Sequence, residues 1–411
     1  MLRNYFLIAI AVLKRRKFFT FISLFGISFT LTILMVLTAF FDHLVAPGYP
    51  ELNRDKCLYV SHVEQRNSKE QGMNSGPASY YFLDHYCSKL KTPAKLAISS
   101  LFTSTNTYVN NQKLVIDVKY TNDQFWDVLR FTFLEGKPYS KDQIDRHDRV
   151  AVITEGTKKS YFGDVASVVG KTIITDNEQY RVIGVVKGVP VTLIYSYADM
   201  FLPHTLSKVA YDKKSLNGMF FGVLLPDNEN DLDKLKAEFN QMASKIKPPE
   251  PEYDEFITYA DPYFINFSRE AFGGKTSTGM ATVVIILSLL AFFFMLLPTL
   301  NLVNINLSRM MERASEIGVR KAFGASSATL VYQFLVENLI LTFLGGIIGL
   351  ILTSATLYFL NTSGLIQNMD LKINLTVLGF SFLACLVFGL FSGVYPAFRM
   401  SRLAVVTALK S

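Results

Sequence analysis

The chain has 411 residues, a hydrophobic content of 50%, a formal net charge of +7 and three cysteines. Such a hydrophobic share would suit a large soluble protein if it were evenly spread, but here it is bunched into nearly charge-free stretches. The positive charge does not mark a nucleic-acid binder, because the excess Lys and Arg flank those stretches and leave the long polar segment slightly acidic; the basicity reports topology.

In chain order, Asn4 to Leu13 is apolar but only about 10 residues long, too short to cross a bilayer, and four cations follow it, Lys14 to Lys17. It reads as an interfacial helix on the cytoplasmic face, residues 1–17. Phe18 to Phe41 then supplies the roughly 20 apolar residues that cross about 30 Å of hydrocarbon. It runs longer than the apolar core of a secretory signal and meets no small-x-small cleavage site before Asp42, so it is expected to stay as an anchor.

Residues 42–278 are polar and α+β in pattern. Lys56 to Val63, Lys95 to Thr103, Gly218 to Leu225 and Glu255 to Ala260 read as strands, and Ala78 to Leu90 and Asp231 to Ile246 as helices. The middle, about 111–203, is richer in strands: Leu114 to Tyr120 alternates, and Lys171 to Thr175 with Arg181 to Val186 reads as a hairpin around Asp176-Asn177-Glu178. Two subdomains are expected, one built from both ends of the segment and one inserted.

Three more apolar stretches follow, giving spans at 279–308, 326–360 and 375–398, with a short loop at 361–374 and a tail at 399–411. Ser327 to Leu360 as one helix would be about 50 Å long, beyond the hydrocarbon thickness, so its first turns are expected to protrude. Basic residues cluster before the first span, between the second and third (Arg309, Arg313, Arg320, Lys321) and after the fourth (Arg399, Arg402, Lys410). Both chain ends are therefore expected in the cytoplasm, with 42–278 outside. The fold class expected is a membrane protein of four transmembrane α-helices with an α+β extracytoplasmic domain.

Several residues invite chemistry. Gly273-Gly-Lys275-Thr276 is no phosphate loop, because the first glycine of that motif is replaced by Arg269. Cys57, His62, His85 and Cys87 lack metal-site spacing, so no metal is expected. Cys57 and Cys87 share the outside segment, where an oxidising compartment would allow one disulfide; spacing leaves it open. Gly345 with Gly349, and Gly389 with Gly393, are small-xxx-small pairs that let helices approach closely, within one chain or between two. Glu337 stands near the cytoplasmic interface, with Arg320 or Lys321 as a local partner.

The densest motif lies in 309–325. Glu316 and Arg320 pair at i,i+4, Glu312 lies one turn earlier, and Ile317 and Phe323 offer an apolar side, which implies a short amphipathic helix. Asn304, Glu312-Arg313, Glu316-Ile317-Gly318, Arg320 and Gly324-Ala325 resemble, in register, the loop of the MacB and FtsX family of ABC permeases; Ser315 replaces that family's usual Arg. Gly393-Val-Tyr-Pro396-Ala397 to Arg402-Leu403 is similar to its C-terminal motif. Phe125-Trp-Asp-Val-Leu, Leu134-Glu-Gly136-Lys, Val150 to Thr154, Tyr161-Phe-Gly163 and Tyr180 to Gly184 look like its periplasmic core.

The resemblance implies a bacterial inner-membrane permease. Its coupling residues Glu312, Arg313, Glu316, Ile317, Gly318, Arg320 and Gly324 would dock on a separate cytoplasmic ABC ATPase. ATP and Mg would sit on that partner, leaving this chain without cofactor or enzymatic activity. A second permease copy or paralogue is implied, with a membrane-fusion protein and outer-membrane channel as further partners and no nucleic acid. The work expected is export or extraction of a periplasmic or membrane substrate; the alternative is an FtsX-like regulator of envelope enzymes.

Overall fold

The computed structural model describes residues 17–311 and 327–383, except 70, 71, 110, 209, 210, 212, 275, 276 and 366, together with 15, 319, 323, 386, 387 and 390. The chain divides into two compact units. One, His43–Val283 with Gly364–Met369, is α+β; the other takes the chain up to Asp42, Val284–Ser363 and the chain from Asp370.

In the helical unit, α1 is the greater part of Lys17–Val45. Two further long helices, Met280–Met311 and Ser327–Thr362, follow the α+β segment in the chain, and residues 375–383 are again helical. Among the described residues, Lys17–Val45 and Leu335–Thr362 are long and apolar enough to cross a membrane, and Met280–Phe294 is a shorter apolar stretch. The interfacial segment 1–14 and the later part of the fourth apolar stretch lie outside the described residues. At 1.5 Å per residue, the 36 residues of Ser327–Thr362 make a rod of about 54 Å.

Among the described residues the α+β unit has fourteen strands, β1 to β14 in chain order: Leu58–Val60, Val63–Arg66, Met73–Gly76, Ala94–Ser100, Thr103–Val109, Gln112–Thr121, Phe133–Gly136, Val150–Thr154, Thr172–Thr175, Glu178–Val186, Met200–Pro203, Phe220–Pro226, Glu255–Thr258 and Asp261–Pro262. Eleven form one sheet along the path β14-β1-β12-β4-β6-β11-β8-β10-β7, with β5 on β6 and β9 on β10; β13-β2-β3 form a second. Strands from both ends of the segment and strands from its middle thus share the large sheet, meeting where Ser99 of β4 pairs with Thr121 of β6. The expected strand from Lys56 to Val63 breaks at Ser61 and His62, so β1 serves the large sheet and β2 the small one.

Period-two alternation sorts the core. Tyr59, Ala97, Phe221, Val223, Val152 and Phe201 point into one cluster that runs under both groups of strands, beneath Phe125, Trp126 and Tyr263. Their neighbours point the other way, where that face splits. Leu58, Val60, Leu96 and Leu224 meet Phe82, Leu83 and Phe239 from the helices Tyr80–His85 and Leu232–Ala243. Ile116, Ala151, Ile153 and Met200 form the third cluster.

This alternation also corrects the disulfide expectation. Cys57 lies in the first cluster and Cys87 in the second, on opposite faces of the sheet, and both are buried free thiols. No bridge can pass through a packed strand layer. Burial pushes the Cys57 thiol up to about 12, with Glu51 and Asp55 adding to the effect.

Two turns explain local sequence choices. Asp176 and Asn177 have φ of 52° and 62°, the doubly left-handed conformation of a tight hairpin, between β9 and β10. Gly136 has φ of 66°, and a Cβ there would fall 2.0 Å from the Ile183 carbonyl oxygen, so this position admits only glycine.

Candidate functional site

The last turn of α1, His43 to Val45, belongs to the α+β unit, where a buried polar joint receives it. A helix ends with carbonyls that have no partner of their own, and a cation is the natural group to meet them. Arg54 supplies it. Its Nη1 donates to the carbonyls of Ala46 at 2.7 Å, Leu44 at 3.0 Å and His43 at 3.4 Å. Its Nε donates to Glu51 Oε2 at 3.0 Å, and the guanidinium lies 4.5 Å from the centre of the Tyr263 ring.

Arg54 is 2% and Glu51 1% exposed. A charge so buried is tolerated only when paired and hydrogen-bonded, and Glu51 is both. Besides Arg54 it accepts from Ser196 Oγ at 2.7 Å and from the Tyr59 hydroxyl at 3.4 Å. Burial is the largest single influence on Arg54 and opposes its charge, but Glu51, Tyr263 and Tyr59 together outweigh it and raise the guanidinium's hold on its proton. The result is a fixed cation at the outgoing end of α1, seated among side chains of the large sheet.

Behind the joint, Lys119 of β6 is fully buried and donates to the carbonyls of Ser100 at 2.7 Å and Ile194 at 3.0 Å. Desolvation lowers it to about 7, with Glu51 pulling the other way. An unfolded chain holds the extra proton up to about 10.4, the ordinary lysine value. Between those values the unfolded state binds more protons, so raising pH through this window stabilises the fold. The gap in unfolding free energy between wild type and Lys119→Met should therefore shift in favour of wild type, by on the order of a few kcal/mol, from pH 7 to 10. Denaturant titrations across that range measure it, and a pH-independent gap would show that the lysine stays charged in the folded state.

In the helical unit the pair Gly345 and Gly349 faces α1. A Cβ on Gly345 would meet Ile27 at 2.7 Å, and one on Gly349 would meet Leu31 and the Ser28 carbonyl at 3.0 and 3.1 Å. Thr32 Oγ1 donates to the Gly349 carbonyl at 3.2 Å, a close approach that side chains at these positions would prevent. Gly346, on another side of the same helix, would meet Phe382. Glu337 and Asn338 are buried in the lead-in of that helix.

The residues expected to dock on an ATPase, Glu312, Arg313, Glu316, Ile317, Gly318, Arg320 and Gly324, lie outside the described residues, as do Gly389, Gly393 and Lys321. The structure thus brings Gly345 and Gly349 to a helix contact and separates Cys57 from Cys87. Sequence reading missed Glu51, Arg54 and Lys119. Lys119 was hidden by the pattern itself: in the alternating run Leu114 to Tyr120 it shares its phase with Val115 and Asp117, opposite to Ile116 and Val118. Arg54 left no signal, since Glu51 to Lys56 reads as an ordinary charged turn.

The family model of the MacB-like periplasmic core domain matches residues 20–242, more than half of the chain, and that of the FtsX-like permease C-terminal region matches 288–405. Neither is an ATP-binding domain. The uncharacterized ABC transporter permease YknZ of Bacillus subtilis (strain 168) is 23% identical over 317 residues, covering 77% of this chain and 75% of its own length. The macrolide export ATP-binding/permease protein MacB of Escherichia coli (strain K12) is 25% identical over 308 residues, covering 73% of this chain but only 44% of its own. The chain thus spans less than half of that relative. Among solved structures, the periplasmic region of MacB from Actinobacillus actinomycetemcomitans aligns at a TM-score of 0.37 and 17% identity, over 53% of this chain and 94% of that one. With two sheets in an α+β domain, at least two membrane-length helices and a match over more than half its length, the chain belongs to the MacB-like periplasmic core domain family of permeases.

Proposed function

We propose that the chain is the permease subunit of a MacB-type ABC complex. It couples ATP hydrolysis on a separate cytoplasmic ATPase to motion of the α+β domain on the outer side of the membrane, and so exports or extracts a substrate there. Four helices span the membrane in this reading, at 18–41, 279–308, 326–360 and 375–398. Both ends and the 309–325 loop are cytoplasmic, and 42–278 is periplasmic. Two copies, or this chain and a paralogue, face one another, with a membrane-fusion protein and outer-membrane channel as further partners.

The observation that carries the reading is the joint at Arg54. A permease that works by mechanical transmission needs its moving helix to end in something stiff. Here the carbonyls of His43, Leu44 and Ala46, at and just past the end of Lys17–Val45, are held by a buried guanidinium that is itself locked to Glu51. A helix tethered through a flexible linker would lose its displacement in the linker.

The input end is tested at the loop. Glu316→Lys combined with Gly318→Trp reverses a charge and adds bulk where the ATPase is expected to seat. The double variant should lose ATPase copurification, and permease-stimulated hydrolysis should fall severalfold. Unchanged complex formation with unchanged stimulated hydrolysis would remove the docking role.

A further inference from the structure

Close to the joint, the α+β unit holds a cavity of ≈ 620 Å³ walled by Leu44, Leu101, Phe102, Phe221 and Tyr263. Its rim carries Val191, Ile194 and Phe267, large apolar side chains that are 48%, 39% and 36% exposed. Cavities of roughly 300–1,000 Å³ with apolar walls and a few convergent polar groups are the usual form of a small-molecule site.

One end of this cavity is polar, and its charge is unbalanced. Ser61 Oγ lies 2.7 Å from Asn266 Oδ1 and 2.7 Å from Glu270 Oε1, and Asn266 Nδ2 donates to the Tyr195 hydroxyl at 2.6 Å. The nearby cations are committed elsewhere. Arg269 pairs with Asp261 at 2.7 Å and covers the Tyr259 ring, Arg66 pairs with Glu64, and His62 lies 3.8 Å from Glu64. Glu270 makes no ion pair among the described residues; its one hydrogen bond comes from Ser61. A second, independent feature lies on the wall: Thr192 Oγ1 is buried without a hydrogen-bond partner among the described residues.

We infer that this cavity binds an organic cation, a molecule with a compact apolar body and one positive charge. The body takes the place of water against Phe102, Phe221 and Tyr263, the charge meets Glu270, and Thr192 is left a partner for a polar edge. A neutral alkyl chain would answer neither Glu270 nor Thr192. An anion would be repelled by the only acidic side chain lining the cavity among the described residues. The inference goes beyond the proposed function, since binding here requires neither an ATPase nor movement of the helices.

Tetraphenylphosphonium and tetraphenylborate are a matched pair of probes, nearly equal in size and opposite in charge. Each is equilibrated by dialysis against the full-length chain in phosphatidylcholine nanodiscs, with uptake by empty nanodiscs subtracted. Glu270→Gln should lower the affinity ratio of cation to anion by about tenfold, as expected for loss of one partly solvated charge contact. Glu270→Lys should lower it further. Thr192→Phe, which fills the cavity from its wall, should abolish saturable uptake of the cation.

Glu270 is an exposed residue near the end of its helix, so its variants keep the fold and their result can be read directly. An affinity ratio equal in wild type, Glu270→Gln and Glu270→Lys overturns the inference, as does the absence of saturable cation uptake by the wild type. Because no nucleotide or partner is present, failure here leaves the loop experiment above standing, and failure there leaves this one standing.

Discussion

Arg54→Met should cost about 3–5 kcal/mol of stability, the size of effect seen when one member of a buried ion pair is removed. The loss arises because Glu51, at 1% exposure, is left as an uncompensated carboxylate among Tyr59, Tyr263 and Ser196. Glu51→Leu alone should be similarly harmful, since it leaves the guanidinium unpaired. The double variant Arg54→Met with Glu51→Leu should recover much of that stability, because two apolar groups of similar volume remove both desolvation costs at once. The same variant tests transmission separately from folding. It has no cation on the carbonyls of His43, Leu44 and Ala46, so a stable double variant should still bind the ATPase yet fail to drive transport. Denaturant unfolding of the four-member cycle measures the first effect, and transport in reconstituted vesicles the second. A double variant with wild-type transport would show that the pair serves stability alone.

The joint was hidden from sequence reading for a physical reason. Strands and helices announce themselves by periodicity: the alternation of Leu114 to Tyr120 falls within β6, and the apolar run from Phe18 within α1. Arg54 lies in a one-turn 3₁₀ helix, too short to carry a period, and its partners are backbone carbonyls whose identity no side chain records. Its burial follows from where the sheet closes, which is a property of pairings such as Leu58 with Leu224 and Tyr59 with Asp261. The misread strand at Ser61 and His62 has a related cause. Lys56 to Val63 is continuous in β-propensity, but its two ends pair with different sheets, and pairing choice lies outside a local window. The cysteines show the converse: once Cys57 is in phase with Tyr59, strand alternation alone places it on the face opposite Leu58, and so away from Cys87.

Gly345→Leu should weaken the contact between α1 and the helix Ser327–Thr362 by about 1–3 kcal/mol, the cost of forcing extra carbons into a close-packed interface. Even the first added carbon has no room, because a Cβ at 345 would lie 2.7 Å from Ile27 Cγ2 and 2.8 Å from Ile27 Cβ. Gly349→Ala is the milder change. Its Cβ would meet Leu31 at 3.0 and 3.1 Å and the Ser28 carbonyl at 3.1 Å, contacts that shifts of a few tenths of an ångström relieve. Gly345→Ala should therefore be worse than Gly349→Ala, opposite to the order expected if lipid or a second copy covered Gly345. The clash also names its own remedy: Ile27→Ala would leave the Cβ at 2.8 Å, but Ile27→Gly removes both Cγ2 and Cβ, so Gly345→Ala with Ile27→Gly should be more stable than the sum of the two single losses predicts. Thermal unfolding of the four chains in nanodiscs gives the coupling energy. Strict additivity would show that Gly345 does not meet Ile27 in the membrane, and the close approach of α1 to that helix would have to be abandoned.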